Sequence, residues 1–337
     1  MLRGFGALAL ASALERRDVA AAVDQQVSLY VGEALGRYGF PHGHPLGMDR
    51  QGVFFRETVA RGLDRRVAVV ASAAPATRAA LERFHTPAFV EKVANAERDG
   101  LEILDQGDTP VFPGVFETSA TVVGAALHGL ATVMNGQVKR TFQPIGGLHH
   151  AGRDHAAGFC VFNDLGVVIE TLRSVYGIRR VAYVDIDVHH GDGVFYAFED
   201  DPDVIIADIH EEGRSLYPGT GAAGETGKGA AEGSKLNLPL AAGSGDAEFF
   251  LAWQRVVTHL QRHRAEFYVF QCGADGLKGD PLAHLEYTPA VHAHAARSLR
   301  TLAESQARGR LMAFGGGGYH RPNIAAAWNN VLAELLV

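Results

Sequence analysis

Short apolar, β-branched runs alternate along this chain with longer segments whose apolar residues recur at helical spacing. Seven runs read as strands: Val27–Val31, Arg66–Ala71, Phe142–Gly147, Val181–Asp187, Val204–Ile209, Phe267–Cys272 and Leu311–Phe314. Helices are predicted over Ala76–Asp99 (broken near Thr86-Pro87), Thr118–Asn135, Asp164–Tyr176, Asp246–Arg264, Thr288–Arg308 and Asn323–Leu336. Their ends carry the matching signals. Gly136 and Gly177 follow helix C-termini, and Thr288-Pro289 sets a cap before a proline at the first helical position. Residues 36–52, Gly107–Pro110 and the Gly-rich stretch Gly213–Gly233 read as loops. From Phe142 onward the strand–helix alternation implies βαβ units and a parallel sheet.

Composition narrows the class. The 337 residues are 47% hydrophobic and 20% charged, with a formal net charge of -7. That is an ordinary globular balance, large enough for a core without disulfide staples. Two cysteines, Cys160 and Cys272, exclude a disulfide framework and a Cys-type zinc site. The absence of a Lys/Arg run argues against direct nucleic-acid binding. No stretch reaches the ~18 apolar residues of a membrane span. A cytoplasmic location is the expectation. The start, Arg3 followed by Gly4–Leu14 and Ala11-Ser12-Ala13, resembles a short signal peptide, which keeps export as the alternative. Residues 1–26 are read as a helical N-terminal segment, helical at least over 15–26, and residues 27–337 as one catalytic domain.

The chemistry lies at strand ends. Val181–Asp187 runs into His189-His190-Gly191-Asp192, and period-two alternation puts Asp185, Asp187 and His189 on one face. Such a cluster is costly to bury unpaired, so it is a metal site or a buried salt-bridge cluster. Other strands end in His149-His150, Asp208 and His210, Asp275, and Tyr319 behind Gly315–Gly318. Ligands of open parallel sheets bind outside the carboxyl ends of the strands, which gathers these groups at one edge. Asp187, His189 and Asp275 then make a catalytic-type set of three ligands. His149 and His150 offer a base and a partner, Asp185 and Asp192 can fix their tautomers, and Tyr319 can donate to an oxyanion. The set reads as metal-assisted hydrolysis of an amide or ester.

Ordered motifs add a resemblance. Pro144–Ala151, Gly158–Asp164, Asp185–Gly193, Tyr217–Gly221, Cys272–Asp275, Gly279–Pro281 and Gly315–Tyr319 resemble the zinc-dependent histone deacetylase family, with its acetoin-utilisation and acetylpolyamine branches. The resemblance covers about residues 27–335. Gly146–His150 and Gly107–Pro110 look most like the acetoin-utilisation branch. It implies an α/β arginase/deacetylase fold: a parallel eight-stranded sheet with helices on both faces. It also implies zinc on Asp187, His189 and Asp275, with iron(II) as the alternative metal. His150 would be general acid/base, His149 its companion, and Asp185 and Asp192 their carboxylates. Tyr319 would polarise the acyl carbonyl. Gly158, Phe159, Tyr217, Leu282 and Gly317 would line the acyl-lysine channel, and Asp108 would grip substrate at the rim. A structural potassium ion would sit on backbone carbonyls of Asp185, Asp187 and His189, with Asp208 and Ile209. The implied substrate is an acylated lysine in a protein or peptide, or a small acylated amine.

Four positions depart from the family pattern. Tyr217 replaces the commoner Phe, Asp208 a Ser, Leu148 a Gly, and Leu282 stands where polyamine-specific members carry Glu. Residues 1–26 fall outside the resemblance, and a homo-oligomer contact is one role open to them.

Overall fold

Eight strands, all parallel, form one sheet in the computed structural model, which describes residues 26–105 and 107–337. In chain order they are β1 (Val27–Tyr30), β2 (Ala68–Val70), β3 (Arg140–Gln143), β4 (Val181–Asp185), β5 (Val204–Glu211), β6 (Lys235–Leu240), β7 (Phe267–Gln271) and β8 (Leu311–Phe314). Across the sheet the order is β2-β1-β3-β8-β7-β4-β5-β6. The described helices are α1 (Glu33–Gly36), α2 (Arg50–Ala60), α3 (Arg78–Leu81), α4 (Pro87–Asn95), α5 (Val115–Met134), α6 (Asp164–Ser174), α7 (Asp192–Ala197), α8 (Asp246–His263), α9 (Ala290–Gln306) and α10 (Arg321–Leu335).

The strands alternate between two cores. Val181 and Tyr183 of β4 pack with α4, α5, α6 and α7. Ala182 and Val184 pack with α2, α8, α9 and α10. Covered on both faces, the central strands need apolar residues at every position, which explains their continuous apolar runs. Phe54 of α2 shows how the second layer is pinned. Its ring meets Phe142 at 5.5 Å and Trp328 at 6.0 Å, both edge-on, and truncating such a ring costs roughly 3–5 kcal/mol.

Helix starts follow the local chemistry. Thr86 accepts the Phe89 N–H at 3.3 Å with Pro87 next to it, so the predicted helix Ala76–Asp99 divides into α3 and α4 at that point. Asn163 caps α6 by accepting the Gly166 N–H at 2.8 Å.

Several elements differ from the sequence reading, the short unpredicted helices α1 and α7 among them. The edge strand β6 goes unpredicted because it follows a Gly-rich loop and contains Pro239, a residue tolerated only at a sheet edge. Helix α2 is hidden because its buried face is Arg50, Phe54 and Thr58, mostly polar. The third strand ends at Gln143, before Pro144, rather than at Gly147. The fourth ends at Asp185, so Asp187 and His189 lie in the loop beyond it. The predicted helix over 15–26 and the rest of the N-terminal segment lie outside the described residues, apart from Gln26.

Candidate active site

Strand alternation is therefore not what aims Asp187 and His189. Side chains bonding to their own backbone do that. Asp185 Oδ1 accepts the Asp187 N–H at 2.9 Å, and Asp187 Oδ1 accepts the His189 N–H at 3.1 Å. These side-chain-to-backbone bonds shape the bends that follow β4, while the Glu211 N–H still reaches Val188 O at 2.9 Å beside them. Asp275, in the loop after β7, reaches across to accept the Val188 N–H at 3.0 Å.

Three ligand atoms converge as a result. His189 Nδ1 lies 3.1 Å from Asp187 Oδ1 and 3.3 Å from Asp275 Oδ2. Tetrahedral bonds of about 2.0–2.1 Å imply ligand separations of about 3.3 Å, so the spacing fits a zinc-type ion. Asp275 Oδ2 is buried with no hydrogen-bond partner, as a ligand atom kept for a cation would be. Asp187 Oδ2 is oriented from behind by Gln271 Nε2 at 2.7 Å and by the Gly317 N–H at 2.8 Å. Glycine is required around the cluster. A Cβ on Gly317 would strike Asp275 Oδ2, and one on Gly273 would strike Asp187 Oδ2.

The electrostatics agree. Burial, then the Asp187 anion, raises Asp275 to about 7. Asp187 is held well below the carboxylate range because His149, His189 and Gln271 outweigh its burial. Burial acts to lower His189, but the adjacent Asp187 and Asp275 carboxylates carry it up to about 10. A proton is thus drawn to the same point a divalent cation would take.

The two histidines form parallel dyads beside this cluster. His149 Nδ1 faces Asp185 Oδ2 at 2.7 Å, and His150 Nδ1 faces Asp192 Oδ1 at 2.6 Å. Their Nε2 atoms approach to 3.1 Å, so one carries a proton that the other accepts. Burial and the neighbouring His149 imidazole hold His150 below its ordinary value against the pull of Asp192. Asp185 also receives the Tyr183 hydroxyl. Asn163 and Asp164, opening α6, hold the loop that carries the pair. Asp164 accepts the N–H groups of Gly147 at 3.0 Å and Leu148 at 2.8 Å, and Asn163 Nδ2 donates to Ala151 O at 2.9 Å.

Tyr319 closes the site. Burial, then the Asp275 and Asp187 anions, push its phenol well above the usual value, so it stays a donor. Its backbone N–H donates to Asp280 Oδ2 at 2.7 Å. Arg50, buried under the glycine loop, donates to Gly318 O at 2.9 Å and Gly316 O at 2.5 Å. Phe159 meets the Tyr319 ring at 5.9 Å, and Tyr217 meets the His150 ring at 5.1 Å. Phe159 adopts φ +67°, held by Thr109 Oγ1, which accepts its N–H at 3.1 Å, and by Tyr38, whose hydroxyl donates to its carbonyl at 2.8 Å. Strain of this kind costs of order 1–3 kcal/mol and persists only where neighbours enforce it. The central cavity, lined by His149, His150, Gly158, Asp187, His189 and Tyr319 among others, measures about 20 Å³. That is space for a single water or an acyl tip. Outside it, a cleft of about 640 Å³ is lined by Asp108, Asp192 and Tyr217 among others. Leu282 lines neither space.

The histone deacetylase domain matches residues 44–335. The chain belongs to the histone deacetylase family. The acetoin utilization protein AcuC of Bacillus subtilis (strain 168) is 37% identical over 264 residues, covering 76% of this chain and 68% of that protein. The histone deacetylase RPD3 of Saccharomyces cerevisiae is 31% identical over 327 residues, covering 92% of this chain and 73% of that protein. Among solved structures, the HDA15 HD domain superposes with a TM-score of 0.84 at 28% identity, covering 93% of this chain and 88% of that one. An HDAC homolog complexed with SAHA gives 0.82 at 31% identity, covering 92% and 84%. This histone deacetylase family member is accordingly a hydrolase of amide bonds with a buried Asp-His-Asp metal site.

Within that family frame, sequence reading missed Arg50, Asp164, Tyr183, Gln271 and Asp280, all of which hold the residues named above. Asp164 and Asp280 stood inside quoted motifs, which was a usable signal, while Arg50, Tyr183 and Gln271 gave none. Asp208 and Asp185 are register partners on β5 and β4. The Asp208 carboxylate is engaged by His210 Nδ1 at 2.6 Å and the Gly191 N–H at 2.9 Å. No helix among the described residues is long and apolar enough to cross a membrane.

Proposed function

We propose that the chain is a zinc-dependent deacylase of acyl-lysine side chains, acetyl-lysine first among them. The observation that carries this reading is the convergence of two separately anchored histidines, a three-ligand cluster with an unpartnered Asp275 Oδ2, and a protonated Tyr319 on one narrow cavity. Asp187, His189 and Asp275 would hold the zinc, whose chemistry is to polarise a carbonyl and acidify a water.

The protein's own groups do the rest. His150, kept neutral by burial, takes the proton of the attacking water through Nε2, and Asp192 steadies the imidazolium that forms. His149, backed by Asp185, donates from Nε2 and stabilises developing negative charge. Tyr319 donates to the acyl oxygen as the tetrahedral carbon forms. His150 then returns a proton to the leaving amine. Phe159 and Tyr217 flank the lysyl methylenes and exclude water. Gly158 must stay small, because a Cβ there would strike the His150 ring. Asp108 supplies an acceptor at the rim for substrate N–H groups. Leu282, standing where polyamine-specific members of the family carry Glu, lines neither the cavity nor the cleft and brings no anion for a polyamine. Iron(II) suits the same ligands. For the potassium ion, backbone carbonyls of Asp185, Asp187, His189, Asp208 and Ile209 remain the candidates. The Asp208 side chain already has partners.

The test is turnover by zinc-loaded protein on acetyl-lysine peptides, longer acyl-lysines, acetylated polyamines and acyl esters. The proposal expects acetyl-lysine peptide to have the highest kcat/KM. A preference for acetylpolyamine would move the function to small acylated amines, and no turnover on any acyl amide would refute it.

A further inference from the structure

One buried carboxylate takes no part in this chemistry. Glu211 ends β5, and its side chain is fully buried. Oε2 accepts the His284 backbone N–H at 2.9 Å, and Oε1 faces His284 Nδ1 at 2.9 Å. Ser215 Oγ lies 2.9 Å from the same Oε1, within donating distance. The Glu211 backbone N–H donates to Val188 O at 2.9 Å, on the peptide run between metal ligands Asp187 and His189.

Each partner belongs to a different wall of the site. Ser215 lies two residues before Tyr217, in the loop after β5. His284 lies in the loop after β7, where Asp280 accepts the Tyr319 N–H. That loop is also tied at its base, where Lys278 N donates to Tyr287 O at 3.0 Å and Tyr287 N to Gly276 O at 3.1 Å, and to the segment before α8, where Gly243 N donates to His284 O at 2.8 Å. Nothing else described there connects the Tyr217 loop to the Asp280 loop through a fully buried charged group. Burying a carboxylate is costly unless it is fully hydrogen-bonded, so the site is stable only with both loops docked.

We infer that Glu211 is a positioning residue for the substrate channel, clamping the Tyr217 loop and the Asp280–His284 loop to the metal-bearing segment. This rests on the deacylase reading above. Tyr217 contacts the lysyl stem, whereas the metal ligands and both histidines are anchored independently of Glu211, and Asp280 keeps its hold on Tyr319 through its own bonds from the Tyr319, His320 and Leu282 N–H groups. Its loss therefore acts on binding of the channel-filling part of the substrate more than on the chemical step.

The experiment compares wild type, Glu211→Gln, Ser215→Ala, His284→Ala and the Glu211→Gln/His284→Ala double variant, all zinc-loaded. Each is assayed on an acetyl-lysine peptide and on a short N-acetylated amine that does not reach Tyr217. Glu211→Gln is expected to raise the peptide KM about tenfold, the size of one charged hydrogen bond lost, with kcat and zinc content little changed. The short amine should lose less than about threefold by the same reckoning. The double variant should be no worse than Glu211→Gln, because both remove one interaction. Equal losses on both substrates, or additive losses in the double variant, would mean a merely structural role and overturn the clamp. If Glu211→Gln does not fold, Ser215→Ala and His284→Ala each cut one arm, and an unchanged KM in both would overturn it too. An inactive wild type would refute the deacylase reading instead, so the two failures are distinguishable.

Discussion

At the scale of single residues, the site depends on a few atoms that nothing else in the fold replaces. Asp275 Oδ2 is one. Asp275→Asn keeps the bond to Val188 N–H but removes a charged ligand, so the variant should lose zinc on dialysis and then unfold close to metal-free wild type, as metal analysis beside circular dichroism will show. Tyr319 is another. Tyr319→Phe should leave zinc content intact and lower kcat by about 10²–10³, the usual loss for one oxyanion donor. A single-turnover assay would show whether the loss falls on the chemical step. Most of the residues gathered at this site could be picked out from the sequence because their types are distinctive and sit in short runs, as in Asp185–Asp192. Arg50 could not. It acts on Gly318, 268 residues further along the chain, and only folding brings the two together.

At the scale of elements, the N-terminus of α6 matters most. Asn163 and Asp164 cap the helix and grip the loop bearing His149 and His150 in the same two residues. Asp164→Asn cannot accept both N–H bonds with equal strength. It should lower stability by about 1–3 kcal/mol, the range for a buried hydrogen-bond partner lost, and lower kcat as well. Denaturant unfolding measures the first and steady-state kinetics the second. The sequence did announce this helix, through Asp164 and the stop at Gly177. It did not announce β6, whose Pro239 reads as a strand breaker until its edge position is known. Nor did it show where β4 stops. Asp187 and His189 look like strand residues by alternation, but the Asp185 carboxylate turns the backbone after one more residue.

At the scale of the whole molecule, several buried histidines tie stability to pH. Burial lowers His85 to about 3, and His292 and His259 to about 4. His85 Nε2 accepts the Asn163 N–H at 2.9 Å, a bond that protonation would destroy. Histidines depressed in the folded state bind fewer protons there than in the unfolded chain. Their contribution is therefore complete above the unfolded value near 6.5 and falls away as pH drops toward 3–4. The His85 share is isolated by comparing wild type with His85→Gln: the wild-type advantage in denaturant midpoint should hold steady between pH 7 and 8 and shrink progressively below pH 6.5. An advantage that grew on acidification would contradict this. Fold class was legible at this scale too. A parallel sheet covered on both faces demands uninterrupted apolar strands, and those are conspicuous in Val181–Val184 and Phe267–Phe270.

The sequence by itself determined the α/β alternation, the parallel sheet and the identity of the titratable groups, because periodicity and residue type are local properties. Only the tertiary structure decided which contacts hold those groups apart. Asp185, Asp187 and His189 lie within five positions, yet Asp185 backs His149 while the other two meet Asp275 from a separate strand end. The separation comes from where β4 ends and from which distant donors, Gln271, Gly317 and Val188, each carboxylate satisfies. Those are contacts between segments far apart in the chain, and no local pattern encodes them.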